Sequence, residues 1–173
     1  AIVAKCTGKT GTVTEESKPS TQSPPLLYDL TSLQREANGR FGFSARNTLG
    51  LAQALYEKHK VLTYPRTDSR ALPEDYLGTV KKTLDMLSER TASTRADAPF
   101  AAKVLKEGWV RPNKRIFNNE KISDHFAIIP TGRLPGAAVS GDDRKIFDLV
   151  VRRFLGNFHP PAVWERVERV TVV

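Results

Sequence analysis

The segment Leu62-Thr63-Tyr64-Pro65-Arg66-Thr67-Asp68-Ser69 places a phenol and a guanidinium on a stretch of backbone that a proline stiffens. Pro65 disfavours helical geometry for the residue before it, so Tyr64 is predicted to be extended. Side chains two positions apart in an extended chain point to the same side, and Tyr64 and Arg66 should therefore face one site. A tyrosine hydroxyl can act as a covalent nucleophile, and an arginine fork is a strong partner for phosphate. This segment is therefore suited to forming a phosphotyrosine ester.

The composition limits the partners and the compartment of the protein. A chain of 173 residues can bury one good core, or one core and part of another. Lys and Arg number 27 against 19 Asp and Glu, and the net charge of +8 suits a polyanionic partner. Cys6 is the only cysteine, which excludes an intrachain disulfide and a cysteine-based zinc site and fits a reducing, cytoplasmic compartment. No apolar run approaches the roughly 20 residues of a membrane-spanning helix.

Both ends of the sequence indicate extended structure. The chain opens with Ala1-Ile2-Val3-Ala4 and ends with Val170-Thr171-Val172-Val173, and neither stretch is polar. Residues 1–14 and 162–173 are predicted to be strands that pair in one sheet. Residues 15–25 are polar and proline-containing, and are predicted to be a loop or linker. Because no start methionine precedes the apolar opening, the sequence is expected to be a middle piece of a longer protein.

Helical signals fill most of the sequence between these ends. They predict five helices. The first begins near Thr31, the second runs from about Ser44 to about Lys60, and the third follows Pro73. The fourth runs from Asp97 to Leu105, and the fifth from Asp142 to near Gly156. After Pro73, a buried stripe is indicated by apolar residues at helical spacing, Leu77, Val80, Leu84 and Leu87. Residues 91–96 are predicted to be a short polar break, and residues 107–141 to be irregular. The predicted fold class is α+β, mostly helical with terminal strands.

Several further motifs accompany the tyrosine segment in a fixed order. They are Leu33-Gln34-Arg35-Glu36-Ala37-Asn38, Phe41-Gly42-Phe43-Ser44-Ala45, Ala52-Gln53-Ala54-Leu55-Tyr56-Glu57, Ser123-Asp124-His125-Phe126-Ala127-Ile128-Ile129-Pro130-Thr131 and Arg144-Lys145-Ile146-Phe147-Asp148-Leu149-Val150. Together with the tyrosine segment they resemble the type IA DNA topoisomerases, and most of all the topoisomerase III branch. The resemblance covers nearly the whole chain.

The resemblance implies a reaction and a domain plan. Tyr64 would attack a phosphodiester of single-stranded DNA, keep the 5′ end of the cut strand as a phosphotyrosine and release a 3′ hydroxyl, so that resealing needs no ATP. Residues 26–155 would form the helical domain that carries the tyrosine. Residues 1–25 would be a linker and part of a β-rich arch domain, and residues 156–173 would be the return strand of that arch. The protein would be associated with DNA.

Arg66 and His125 complete the predicted catalytic set, and both are expected to contact DNA. Arg66 would neutralise the phosphate and the charge that develops on it during the reaction. His125 matches the active-site histidine of the family, although relatives often have two histidines where this chain has His125-Phe126.

Two further residues of the tyrosine segment are predicted to support the site, Thr67 and Asp68. Two roles for Asp68 stay open at this point. Its carboxylate either caps the local turn at Ser69 and Arg70, or holds His125 in one tautomer, as carboxylates do beside active-site histidines.

One part of the family's machinery is not visible in this sequence. Members of the family bind magnesium through an acidic cluster in an N-terminal Toprim domain, and no Asp-x-Asp cluster occurs here. No metal ligand is therefore predicted within the chain. Mg²⁺ is the expected cofactor of the longer protein and the Toprim domain its expected partner, and the chain alone is predicted not to relax supercoiled DNA.

Two alternatives compete with this interpretation. A tyrosine recombinase would place its arginines and His-x-x-Arg before the nucleophile, whereas Tyr64 precedes His125, and the paired-histidine metal site of a relaxase is absent. The other alternative is a module that binds single-stranded DNA or a protein without performing chemistry. A covalent adduct with single-stranded DNA would separate that module from the topoisomerase.

Overall fold

The chain divides into two compact units. The structure, a computed structural model, describes residues 1–91, 94 and 96–173, so residues 92, 93 and 95 of the predicted polar break lie outside the described part. One unit consists of Ala1–Pro24 and Pro161–Val173, and we call it the ribbon unit. The other consists of Pro25–Pro160, and we call it the helical unit.

The ribbon unit is built on two antiparallel strands, β1 (Thr12–Gln22) and β2 (Ala162–Val172). The register runs from the pair Thr12 and Val172 to the pair Gln22 and Ala162. A five-residue helix, α1 (Ile2–Cys6), precedes β1. Every residue of both strands is exposed, so backbone hydrogen bonds and cross-strand side-chain contacts hold the ribbon together. The prediction that the two terminal segments pair in one sheet is confirmed.

The predicted position of the first strand is wrong. Residues before Thr12 have no partner across the ribbon, and Thr7 instead closes a helical turn by donating its backbone N–H to the carbonyl of Val3 at 3.0 Å. Residues 15–22, predicted to be a loop, lie inside β1, and Pro19 is opposite Glu165. A two-stranded ribbon tolerates proline because a nitrogen that faces an open edge has no hydrogen bond to lose.

The helical unit contains five α-helices and two single turns of 3₁₀-helix among the described residues. The helices are α2 (Leu30–Phe41), α3 (Ala45–Glu57), α4 (Leu77–Ser88), α5 (Ala98–Lys106) and α6 (Gly141–Phe158), and the 3₁₀ turns are Glu74–Tyr76 and Asn119–Lys121. The α+β fold class is confirmed. Because α6 continues to Phe158, the return strand begins at Ala162 and not at residue 156. The assignment of these segments to arch and tyrosine domains stays a prediction.

Local capping signals explain where the helices begin. The Asp29 carboxylate accepts the backbone N–H of Ser32 at 2.6 Å, which starts α2 one residue before the predicted Thr31. Ser44 caps α3 in the same way, accepting the N–H of Asn47 at 3.1 Å. Because these caps and the apolar spacing of the helices are local features of the sequence, the helices could be predicted from it.

The core of the helical unit gathers around α6. Its inward side chains are fully or almost fully buried, namely Ile146, Phe147, Val150, Phe154 and Phe158. Arg153 leaves this core toward Glu36 of α2, forms an ion pair with it, and donates to the carbonyl of Leu26 at 2.9 Å. Tyr28 also donates to Glu36, and the Arg153 guanidinium lies 4.1 Å from the centre of the Tyr28 ring. This network fastens residues 26–28 and α2 to α6.

The network shifts the pKa of two of its members in opposite directions. Burial and the hydrogen bond to Glu36 raise the pKa of Tyr28, so this phenol stays protonated. Burial works against ionisation of Glu36, but the hydrogen bond from Tyr28 and the charges of Arg153 and Arg40 together outweigh it and lower the pKa of that carboxyl. Glu36 is therefore a stabilised carboxylate.

Candidate active site

The tyrosine segment has no helix of its own and is held by hydrogen bonds to residues far along the chain. Thr63 donates its backbone N–H to the carbonyl of Ile129 at 3.0 Å. Its hydroxyl donates to the carbonyl of Ala127 at 3.0 Å and accepts the N–H of Ile129 at 2.9 Å. Tyr64 therefore follows directly on a residue whose N–H and hydroxyl are both hydrogen-bonded, which fixes the backbone from which its side chain projects.

Thr67 fixes the other end of the segment. Its side chain is buried, and its hydroxyl donates to the backbone carbonyl of His125 at 2.9 Å and accepts the N–H of Ser69 at 3.1 Å. The carbonyl of Thr67 accepts the N–H of Leu30 at 3.0 Å, which connects the segment to the start of α2. Thr67 thus holds the backbone of His125 beside the tyrosine segment, a contact between residues 58 positions apart.

The Tyr64 ring lies between two other rings. The centroid of the His125 ring is 4.3 Å away at a tilt of 44°. The Tyr56 ring of α3 meets Tyr64 at 5.4 Å and 79°, an edge-on arrangement. Tyr64 itself is partly exposed, and its hydroxyl has no hydrogen-bond partner within residues 1–91, 94 and 96–173. The phenol oxygen of Tyr64 is therefore available to a ligand, while contacts with the Tyr56 and His125 rings hold the aromatic ring of Tyr64 in place.

His125 and Phe126 have different surroundings. Phe126 is half-buried against the core and stacks on Tyr76 with ring centroids 4.7 Å apart. His125 is exposed and contacts Tyr64. Of the pair His125-Phe126, the phenylalanine is therefore the residue that packs inward, and the histidine is the one beside the tyrosine.

Arg66 and His125 line one open cleft of about 410 Å³. The other residues that line it are Leu30, Thr31, Thr67, Asp68, Ser123 and Asp124. Tyr64 contacts His125 but does not line this cleft, so the expected common site of Tyr64 and Arg66 stays a prediction. Leu30 and Thr31 form the first turn of α2, and the N-terminus of a helix attracts anions. The cleft thus has a guanidinium and an imidazole available to a phosphate, whereas the N–H groups of Leu30 and Ser32 at this helix start are already bonded to Thr67 and Asp29.

Asp68 takes neither of the two roles considered for it. Its carboxylate accepts the hydroxyl of Ser123 at 3.3 Å, and within the described residues it bonds neither to His125 nor to the turn. The turn is closed by Thr67 and Ser69 instead, because their hydroxyls accept the N–H groups of Ser69 and Ala71. Asp68 and Asp124 add negative charge to the cleft, which moderates its attraction for anions.

Sequence reasoning did not identify Tyr56 or Lys60 as parts of the site. Lys60 places its ammonium 5.5 Å from the centre of the Tyr56 ring. A spacing of four residues at the end of a helix was the available signal for this contact. Nothing in the sequence places Tyr56 against Tyr64, because that contact depends on the turn of the chain between α3 and the tyrosine segment.

The described residues contain no group of three or more His, Cys, Asp or Glu side chains arranged to hold a metal ion. No helix in the described part of the chain has both the length and the apolar character needed to cross a membrane.

Comparisons with known proteins agree with the fold and the motifs. The sequence model of a family described as DNA topoisomerase matches residues 1–173. The chain is 45% identical over 174 residues to DNA topoisomerase 3 of Bacillus cereus, an alignment that covers 99% of this chain and 23% of that protein. It is also 45% identical over 147 residues to DNA topoisomerase 3 of Shouchella clausii, covering 84% of this chain and 20% of that one.

Among solved structures, full-length topoisomerase I from Thermotoga maritima has a similar fold. It aligns with a TM-score of 0.61 and 21% identity, over 98% of this chain and 27% of that one. The chain therefore spans between 20% and 27% of the length of these three proteins.

Proposed function

Since this chain belongs to the DNA topoisomerase family, we propose that it is the tyrosine-bearing part of a type IA topoisomerase that cuts and reseals single-stranded DNA without ATP. The observation that carries the proposal is the contact between the Tyr64 and His125 rings, with Arg66 in the cleft that His125 also lines. In this proposal Tyr64 is the nucleophile, Arg66 is the cation that binds the phosphate, and His125 is the group that transfers a proton.

The proposed cleavage step exchanges one ester for another. The phenol oxygen of Tyr64 bonds to phosphorus as the bond from phosphorus to the 3′ oxygen breaks. The phenol gives up its proton and the 3′ oxygen gains one, so the products are a 5′-phosphotyrosine and a 3′ hydroxyl. The number of phosphoester bonds is unchanged, and attack by the 3′ hydroxyl on the phosphotyrosine reverses the step without ATP.

In this proposal the residues around Tyr64 have separate tasks. Arg66 binds the phosphate and stabilises the charge that grows on its oxygens. His125 is assigned the exchange of a proton with a reacting oxygen, because its ring contacts Tyr64 and carries nitrogens that can donate and accept hydrogen bonds. Thr67 keeps His125 in place through its backbone. Substrate specificity for single strands follows from the need of Tyr64 to reach an unpaired backbone.

The longer protein in this proposal supplies Mg²⁺ and its acidic ligands from a Toprim domain outside these residues. No step above is routed through that metal. The chain alone is expected to bind single-stranded DNA weakly and not to relax supercoiled plasmid. A module that binds DNA without chemistry is the alternative, and the two differ in whether a covalent bond forms.

The test is covalent capture of a single-stranded oligonucleotide that carries a label at its 3′ end. The chain is mixed with the purified N-terminal part of the Bacillus cereus relative, and adducts are separated on a denaturing gel and mapped by mass spectrometry. The expected adduct is on Tyr64, is absent in Tyr64→Phe, and remains in the matched control Tyr28→Phe. An adduct that survives Tyr64→Phe contradicts the proposal, and binding without any adduct favours the non-catalytic module.

A further inference from the structure

The orientation of the Tyr64 ring depends on side chains and not on hydrogen bonds. Its hydroxyl has no partner in the described part of the chain, so nothing polar fixes the rotation of the ring. Two rings touch it, Tyr56 from α3 and His125 from the loop after the second 3₁₀ turn. Edge-on contacts such as the one with Tyr56 are favoured by the charge distribution of aromatic rings and have a defined geometry.

Lys60 supports the Tyr56 ring from an unusual backbone conformation. It follows α3 with φ 58°, and in the described part of the chain it is the one residue other than glycine with a positive φ. The N–H of Val61 reaches back to the carbonyl of Leu55 at 2.9 Å, a helix-ending arrangement in which glycine is usual. The hydroxyl of Thr131 donates to the carbonyl of Lys60 at 2.7 Å and helps to hold this conformation.

The left-handed backbone at Lys60 is less stable with a lysine than with a glycine, so the lysine side chain is expected to make a compensating contact. A left-handed conformation brings the Cβ of any residue except glycine close to the following carbonyl oxygen. The side chain of Lys60 extends over the Tyr56 ring, where its ammonium makes a cation–π contact. Lys60, Tyr56, Tyr64 and His125 therefore form a continuous row of contacts that starts at the end of α3 and ends at the cleft.

We propose that Tyr56 is a positioning residue for Tyr64, and that Lys60 holds Tyr56 in place. The consequence for catalysis rests on the proposed function. Attack on a phosphodiester requires the phenol oxygen to lie in line with the departing 3′ oxygen, and reaction rates fall steeply when such alignment is lost. Without the Tyr56 ring, the Tyr64 ring keeps only one of its two aromatic contacts, the one with His125, and should sample more rotations.

The first experiment measures ring geometry in the 173-residue chain by NMR, without any DNA. Nuclear Overhauser contacts between the Tyr64 and His125 ring protons, and the ring-current shift of His125, report the 4.3 Å stacking. Tyr56→Phe keeps the ring and should keep both signals, whereas Tyr56→Leu should lose at least half of the contact intensity. Unchanged signals in Tyr56→Leu would overturn the proposal.

A second variant keeps the test decisive if Tyr56→Leu folds poorly. Lys60→Gly suits the left-handed backbone and should raise the melting temperature, yet it removes the ammonium from the Tyr56 ring. It should weaken the Tyr64 to His125 contacts, while Lys60→Arg, which keeps a cation over the ring, should preserve them. A stabilised Lys60→Gly chain with native contacts between the two rings would overturn the role of Lys60.

The second experiment links the geometry to the reaction in the adduct assay above. Tyr56→Leu should form the Tyr64 adduct about tenfold more slowly, a change of about 1.4 kcal/mol in the barrier, with unchanged affinity for the oligonucleotide. Tyr56→Phe should react like the natural sequence, and equal rates in both variants would contradict the positioning role. If no adduct forms with the natural sequence, the proposed function fails while the NMR result still decides the positioning of Tyr64.

Discussion

The helical unit and the ribbon unit of this chain are stabilised in different ways. The helical unit buries a continuous core around α6, in which Phe154 and Val150 are completely inaccessible. The ribbon unit has no buried residue in either of its strands. The candidate site lies entirely in the helical unit, where Thr63 bonds to the backbone of buried Ala127 and the buried Thr67 bonds to the backbone of His125. A nucleophile that must be aligned within fractions of an ångström belongs on the rigid unit, and the following predictions test that division.

The largest contrast is expected from truncating one apolar side chain in each unit. Phe154→Ala should lower the free energy of unfolding of the helical unit by about 3 to 5 kcal/mol, because it removes a buried ring and leaves a cavity. Val167→Ala in β2, whose side chain is half exposed, should change it by less than about 0.5 kcal/mol. Urea denaturation followed by Trp109 fluorescence in a Trp164→Phe background measures the helical unit alone. Equal effects of the two substitutions would contradict the division.

The next largest difference is expected between two ion pairs, Arg153–Glu36 in the helical unit and Arg169–Glu15 in the ribbon unit. Arg153→Met removes one of the two cations that pair with the partly buried Glu36 carboxylate, and about 2 kcal/mol of stability should be lost. Arg169→Met removes the corresponding cation from Glu15 on the exposed ribbon and should cost less than about 1 kcal/mol. The same urea experiment measures Arg153→Met, and urea denaturation followed by Trp164 fluorescence in a Trp109→Phe background measures Arg169→Met. A loss below 1 kcal/mol for Arg153→Met would show that the buried network contributes little.

Acid should destabilise the helical unit through Glu36. The folded pKa of this carboxyl lies below its ordinary value of 4.5, so the unfolded chain binds the proton more readily. Its contribution to stability is therefore fully present above about pH 4.5 and is lost as the pH falls through the lowered folded pKa. Thermal melting between pH 7 and pH 3 should show a shallower acid dependence for Glu36→Gln than for the exposed control Glu15→Gln. Parallel curves for the two variants would be inconsistent with this assignment.

The smallest effect is expected on DNA binding by the isolated chain. Arg66→Ala should weaken binding to a single-stranded oligonucleotide by about threefold and reduce the slope of log affinity against log salt by about 0.7, the value for one lost phosphate contact. Arg166→Ala, an equal charge change on the ribbon, should leave both quantities nearly unchanged. Fluorescence anisotropy across a salt series measures the two together. Equal losses for both variants would indicate that net charge, and not the cleft, binds the DNA.

The helices and the second strand of this chain could be predicted closely, and the first strand could not. Asp29, Ser44 and Pro73 act on their immediate neighbours, so the starts of α2, α3 and the turn before α4 are visible in the sequence. The β1 strand has a polar sequence with Pro19 in it, and only the pairing with β2 makes it a strand. The opening of the chain, with Ile2 and Val3, was predicted to be a strand but forms the helix α1, because this segment does not pair with β2.

The sequence by itself determined which groups are available at the site. The order of the motifs around Tyr64, Arg66 and His125 indicates the chemistry, because that chemistry depends on the types of side chain and on their spacing along the sequence. The tertiary structure alone decided how they meet. The bonds from Thr63 and Thr67 to residues near position 127, and the left-handed turn at Lys60, place the Tyr64 ring between Tyr56 and His125. Contacts across so many residues depend on packing of the whole helical unit, and no local pattern records them.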